Sequence, residues 1–259
     1  MLLMATEWLW PRRKLRLGWM RWPCNLAIMA LGALVVRLIA TVGLPLVAVS
    51  AALWAQQAHI GLLHVLHLPQ WLAFTLALLA LDALVWAQHL SFHRIAFFWR
   101  FHRVHHADQD IDVSTALRFH PAEIAVSMLI KVATVLLLGA PAEAVIVFEI
   151  ALNGCAMFNH ANLRLPLALD RALRLLIVTP DMHRVHHSVH ANEHDRNFGF
   201  CLSLWDRLFN AYLAQPRDGH AAMQIGLPEY QGTGPAQLSW CLRLPAAPLQ
   251  KRPEMTLAS

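Results

Sequence analysis

The sequence predicts an all-α integral membrane protein, with about four transmembrane helices and a histidine-rich helical cap on the cytoplasmic side. Three observations lead there. Of 259 residues, 57% are hydrophobic and 14% are charged, against about 25% charged in a soluble globular protein. The apolar residues fall in long runs at 25–56, 71–88, 122–139 and 142–160, and no later run is long enough to span a bilayer. The sixteen histidines collect mainly near the ends of those runs.

Residues 1–24 read as a basic interfacial lead-in, with Trp8, Trp10, Trp19 and Trp22 suited to the membrane–water boundary. No small-residue cleavage site stands out after Arg12, Arg13, Lys14 and Arg16, so a retained anchor is expected over a removed signal peptide. Fully helical, 25–56 would extend about 48 Å against a hydrocarbon core of about 30 Å. That is long for one straight crossing and short for two, and Gly43 and Pro45 are placed to kink it. Residues 25–215 form the membrane domain and 216–259 a C-terminal cytoplasmic tail.

Charge sets the expected topology. The N-terminal basic cluster, Arg94, Arg100 and Arg103, and Arg164, Arg171 and Arg174 all belong inside by the positive-inside rule. That requires an even number of crossings before residue 89, hence one crossing in 25–56 and one in 71–88. The run at 122–160 then goes out and back around the Gly139-Ala140-Pro141 turn. A hairpin within 25–56 would instead place the arginine-rich segments outside. The net charge of +5 lies beside apolar runs and fits loop charge, not nucleic-acid binding. Cys24, Cys155, Cys201 and Cys241 are widely spaced and form no CxxC pair, which argues against a zinc-ribbon, iron–sulfur or disulfide framework.

Histidine spacing carries the chemistry. His89 and His93 form HxxxH; His102, His105 and His106 form HxxHH; His183, His186 and His187 repeat it. Positions i, i+3 and i+4 share a helix face, so each HxxHH is expected to point three imidazoles toward one volume. Thr179-Pro180-Asp181 reads as a helix start before the last cluster. Burying so many unpaired imidazoles is expensive, and metal coordination removes the cost. Eight clustered rings exceed the ligand set of one zinc site and imply two metals, with iron, zinc and copper all compatible with nitrogen donors. HExxH is absent, and Glu123, Glu143 and Glu149 do not form the ferritin-like ExxH pattern.

These motifs resemble the fatty acid hydroxylase and sterol desaturase superfamily of integral membrane di-iron oxygenases, in its bacterial form. The likeness runs from about residue 70 to 215 and rests on His89-Leu-Ser-Phe-His93, His102-Arg-Val-His105-His106 and His183-Arg-Val-His186-His187. It extends to Arg118-Phe-His120-Pro121, Phe158-Asn-His160-Ala-Asn162, Asn197-Phe-Gly199 and Leu204-Trp-Asp-Arg-Leu-Phe209. The resemblance implies that His89, His93, His102, His105, His106, His183, His186 and His187 are metal ligands, with His160 as a further one. Some members carry another histidine where this chain has Ala156, and His120 is the first substitute for it, or else an orienting neighbour. His190 and His194 rank lower, and His59, His64, His67 and His220 read as interfacial or surface residues.

The resemblance further implies two iron ions, dioxygen as co-substrate and a bilayer lipid substrate (fatty acyl, sterol or carotenoid). It implies a bacterial inner-membrane location with the site facing the cytoplasm. No nucleotide fingerprint or fused haem domain is visible, so electrons are expected from a separate reductase or carrier. Hydroxylation is the expected outcome, and desaturation the alternative. A metal transporter is the competing class, but it would place ligands at the bilayer midplane and not at one end. Among acidic groups, Asp82 reads as a helix–helix tie. Lys131 and Glu149 could pair or line a cavity. Asp108, Asp110 and Asp112 are either imidazole partners or a solvated loop. Asp206 and Arg207 read as structural. Phe209-Asn210-Ala211-Tyr212 departs from the Phe-Gly-Thr-Tyr of many relatives, which leaves the subfamily open.

Overall fold

The computed structural model describes residues 2–41 and 48–249; Gly43 and Pro45, and with them the expected kink, lie outside this range. The described chain is all-α, with no β-structure beyond isolated bridges. In order, the helices are α1 (Leu2–Leu9), α2 (Trp22–Thr41), α3 (Ala48–Gln57), α4 (Leu62–Val65), α5 (Gln70–Arg94), α6 (Ala96–His106), α7 (Pro121–Leu138) and α8 (Ala142–His160). Short cap helices follow: α9 (Leu167–Leu173), α10 (Pro180–His186), α11 (Ala191–His194), α12 (Leu204–Leu208), α13 (Gly219–Ala222) and α14 (Leu238–Arg243).

Among the described residues, four helices are long and apolar enough to cross a membrane: Gly18–Thr41, Gln70–Arg94, Pro121–Leu138 and Ala142–His160. The protein is therefore a multi-pass membrane protein. Helix α3 has ten residues, about 15 Å, which is half the hydrocarbon thickness. Its buried face is Ala48, Ala51, Ala52 and Ala55, and the first three share a core cluster with Val132 and Val135 of α7 and Ala144 and Val145 of α8, the helices α3 packs against. Small residues let these backbones approach closely, the usual basis of helix packing in lipid.

Local sequence sets the helix ends. Pro121 opens α7 at its first turn, and the His120 ring accepts a hydrogen bond from the Ala122 N–H. Gly139 closes α7 in the left-handed region (φ 63°). Its neighbour in space is Gly61, where an added Cβ would lie 2.1 Å from the Gly139 nitrogen. Nothing breaks α5 between Gln70 and Arg94, so its 25 residues extend about 37 Å and outrun the bilayer core by more than a turn. The polar segment expected from residue 89 thus begins as a continuation of the helix, with His89 and His93 one turn apart on its projecting end.

The lead-in and the tail are built into the cap. Backbone bonds from Arg12 N–H to Asn162 O and from Arg164 N–H to Trp10 O, each 2.9 Å, dock the lead-in beside the end of α8. Arg103, one of the arginines the charge pattern places on the cytoplasmic side, is buried and donates to the carbonyls of Leu244 and Ala247, both at 2.6 Å. Asp108, Asp110 and Asp112 are neither imidazole partners nor solvated: all three are buried around the guanidinium of Arg21. A buried arginine needs such partners, and they tie the start of α2 to the loop after α6. Arg21→Met should leave three buried carboxylates without their cation and destabilise the fold by about 3–5 kcal/mol. Unfolding of purified protein in detergent measures this, and an unchanged midpoint would contradict it.

Candidate metal centre

Helices α5, α6, α8 and α10 bring nine buried histidines together, and their ligand atoms separate into two groups. His89, His93, His102, His106 and His186 form the first, and His105, His160, His183 and His187 the second. Within each group, one nitrogen from every ring lies within 4.8 Å of the others. Each HxxHH is divided between the groups, not aimed at one volume. On a helix of 3.6 residues per turn, i and i+4 diverge by about 40°, while i+3 lies about 60° to the other side of i. The i and i+4 rings of α6, His102 and His106, enter the first group, and His105 turns to the second. In the last motif the roles reverse: His183 and His187 enter the second group and His186 the first. The His89/His93 pair of α5 completes one group and His160 of α8 the other.

The far ring nitrogens fix the near ones. Nδ1 of His89 meets Phe198 O at 2.7 Å, that of His105 meets Arg118 O at 3.2 Å, that of His160 meets Ala156 O at 2.7 Å and that of His186 meets Arg196 O at 2.7 Å. Carboxylates serve two more, Asp195 for His93 (3.1 Å) and Glu123 for His102 (2.7 Å). A backbone carbonyl can only accept, so in the neutral rings of His105 and His160 the proton sits on Nδ1 and both Nε2 atoms present lone pairs. Those Nε2 atoms face each other at 3.2 Å. Similar Nε2–Nε2 approaches join His89 to His102 (3.1 Å), His93 to His106 (3.0 Å) and His160 to His183 (3.2 Å). Two nitrogens bound at about 2.1 Å to one ion are about 3 Å apart when the angle between the bonds is near 90°. The donor set thus fits a shared cation, which resolves the repulsion of facing lone pairs. His186 Nε2 and both ring nitrogens of His187 are buried without a protein partner, which fits the same conclusion. Orienting each ligand through its outer nitrogen is how proteins fix metal-bound histidine.

Other candidates lie elsewhere. His120 caps α7 and packs its ring 5.4 Å from Phe101, outside both groups. His190 pairs with Asp218 at 2.7 Å near the surface. His194 comes closer than its sequence rank implies: it forms a third cluster with His93 and Asp195 and stacks on Trp99. His59 and His67 are exposed, as read. His220 is not a surface residue but is buried, 3.6 Å from Asp181, because the tail folds under α10. Sequence reasoning gives Asp195 and Glu123 no role beside the ligands. Their only signal is nearness to His194 and His120.

A scaffold surrounds these rings. Asp206 accepts from Trp86 Nε1, Phe198 N–H and Gly199 N–H at 2.8–2.9 Å, fixing the segment whose Phe198 carbonyl holds His89. A Cβ on Gly199 would come within 2.9 Å of that carboxylate, which accounts for the glycine. Asp82 accepts from Trp205 Nε1 at 2.8 Å, tying α5 to α12 away from the metal groups. Arg207 lies over the Tyr212 ring at 4.0 Å. Between α2, α5, α7 and α8 lies a cavity of about 330 Å³ that reaches His89 and His102. Its wall is mostly apolar, with Met29, Phe92 and Leu152 among the lining residues.

The profile of the family described as fatty acid hydroxylase matches residues 74–211, just over half the chain and the whole histidine array. The chain belongs to the fatty acid hydroxylase family. Among curated proteins, it is 26% identical over 188 residues to the ornithine lipid hydroxylase OlsE of Rhizobium tropici, covering 73% of this chain and 53% of that one. It is 28% identical over 140 residues to an alkylglycerol monooxygenase of Caenorhabditis elegans, covering 53% and 26%, and 32% identical over 152 residues to that of Danio rerio, covering 58% and 33%. The chain thus spans about half or less of the length of these relatives. No solved structure matches it.

Burial, reinforced by neighbouring imidazoles, holds His105, His106, His183, His186 and His187 well below their ordinary pKa of 6.5, in the neutral form that binds metal. Unfolding returns these rings to water, where they take up protons around pH 6.5. Below that pH the unfolded chain binds more protons than the folded one, so stability present above pH 6.5 is lost as the pH falls. Chelator-treated protein should therefore unfold at lower temperature at pH 5.5 than at pH 7.5, and the opposite order would contradict burial of neutral rings.

Proposed function

We propose that this protein is a membrane-embedded di-iron oxygenase that hydroxylates a C–H bond of a bilayer lipid. The observation that carries the reading is the pair of adjoining histidine groups, the first of which reaches a cavity between membrane helices through His89 and His102. His89, His93, His102, His106 and His186 would hold one iron and His105, His160, His183 and His187 the other. Iron bound there supplies reductive activation of dioxygen, with one oxygen atom entering the C–H bond and the other leaving as water after two electrons and two protons are taken up. The electrons come from a separate reductase or carrier.

The protein's part is positioning and shielding. His89 and His102 both line the cavity and belong to the first group, so a lipid carbon at the cavity end meets that group. Phe92, Phe119 and Phe200 wall the same end and limit water there. The hydroxylase and monooxygenase names of the relatives favour oxygen insertion over desaturation. Histidines gathered at one end of the bundle, not at mid-depth, favour an enzyme over a metal transporter. The arginine distribution supports a cap on the cytoplasmic face of a bacterial inner membrane.

Membranes containing the protein, supplied with reductant and labelled dioxygen, should yield a lipid product carrying one labelled oxygen atom by mass spectrometry. His105→Ala, His160→Ala and His186→Ala should each abolish that product, whereas His59→Ala should retain it. A hydroxyl labelled from water and not from dioxygen would contradict the proposal.

A further inference from the structure

The cavity wall is not uniformly apolar. Lys131 of α7 and Glu149 of α8 both line it and form an ion pair, Nζ to Oε1 at 2.7 Å. Gln88, Ser127 and Asn153 add polar atoms along the same wall. The pair lies deep. Lys131 is eight residues before Gly139 and Glu149 eight after Pro141, about 12 Å from the hairpin turn, while Glu123, whose carboxylate meets the cavity-lining His102, is eight residues before Lys131, also about 12 Å along the axis. The charges therefore sit near mid-bilayer, where a single one costs about 2.5–3.5 kcal/mol on insertion scales. A pair needed only to join two hairpin helices could be replaced by apolar packing, often with no loss of stability. This pair instead opens on the cavity, and the Glu149 side chain keeps 29% of its exposure.

We infer that Lys131 and Glu149 form a substrate subsite for a hydroxyl group carried by the lipid about 12 Å from the carbon presented to the histidines. The ammonium has N–H donors beyond the one given to Glu149, and the carboxylate has further lone pairs. A hydroxyl complements both at once: its oxygen accepts from Lys131 and its O–H donates to Glu149. A carbonyl would use only the lysine, and an unsubstituted alkyl chain neither. The substrate class is thus a lipid that carries a hydroxyl within its buried portion. This rests on the oxygenase reading for the position of the reacting carbon, but binding alone reports on the subsite.

The test uses detergent-solubilised, metal-loaded full-length protein and radiolabelled saturated alkanols, with alkanes of equal length as the comparison. Across a length series, wild-type protein should bind the best-fitting alkanol at least tenfold more tightly than its alkane. Lys131→Met combined with Glu149→Leu should lose that preference while still binding the alkane. The swapped variant, Lys131→Glu with Glu149→Lys, keeps the pair and should keep the preference. Glu149→Gln should weaken it several-fold and serves if the apolar double variant does not fold. No alkanol preference in the wild type, or an undiminished preference in the variants that lack the pair, overturns the inference. Because no oxidation is read, loss of alkanol selectivity and failure of labelled-dioxygen incorporation are separate results.

Discussion

Imidazole lone pairs brought face to face impose the constraint on which the cap depends. Carbonyls occupy the outer nitrogens of His105 and His160, so in the neutral rings their inner Nε2 atoms, 3.2 Å apart, both present lone pairs. Protonation would relieve the contact, but burial opposes it. A cation held within each group would relieve it, and the surroundings are arranged to hold that geometry. Asp206 fixes Phe198, which orients His89. Arg118, whose carbonyl orients His105, has its guanidinium buried against Val104 O, Asn25 and Pro235 O.

The same constraint explains why distant parts of the chain converge. A site at a membrane surface needs a lid over its polar side, and here the lead-in and the tail supply it. Arg21 reaches into the carboxylates of Asp108, Asp110 and Asp112, and Arg103 holds the carbonyls of Leu244 and Ala247. The arginines inside the two HRVHH motifs therefore have structural work distinct from the histidines beside them. Arg184, in the second motif, is fully buried and paired with Asp181.

Much of this was legible in sequence, for identifiable reasons. Apolar runs reveal spans because every backbone polar group in lipid must be satisfied within a helix. Histidine spacing reveals which rings gather because i, i+3 and i+4 lie near one another on a helix. The division of each HxxHH between two groups was not legible, since it depends on how α6 and α10 face one another. Asp108, Asp110 and Asp112 looked like a loop because their partner, Arg21, is about ninety residues away in sequence. His220 looked superficial because nothing local marks the tail as folding beneath α10. The Lys131–Glu149 pair was a stated possibility, but only the packing of α7 and α8 places it on the cavity wall.

Metal stoichiometry tests the account most directly. Protein produced with ample iron, purified without added zinc and washed free of loose metal should hold two ions per chain, mainly iron, by elemental analysis against folded protein. Removing one ligand from each group, His93→Ala for the five-histidine set and His183→Ala for the four-histidine set, should each lower that number toward one. Folded wild-type protein holding one ion or none per chain would contradict the two-group centre on which the functional reading stands.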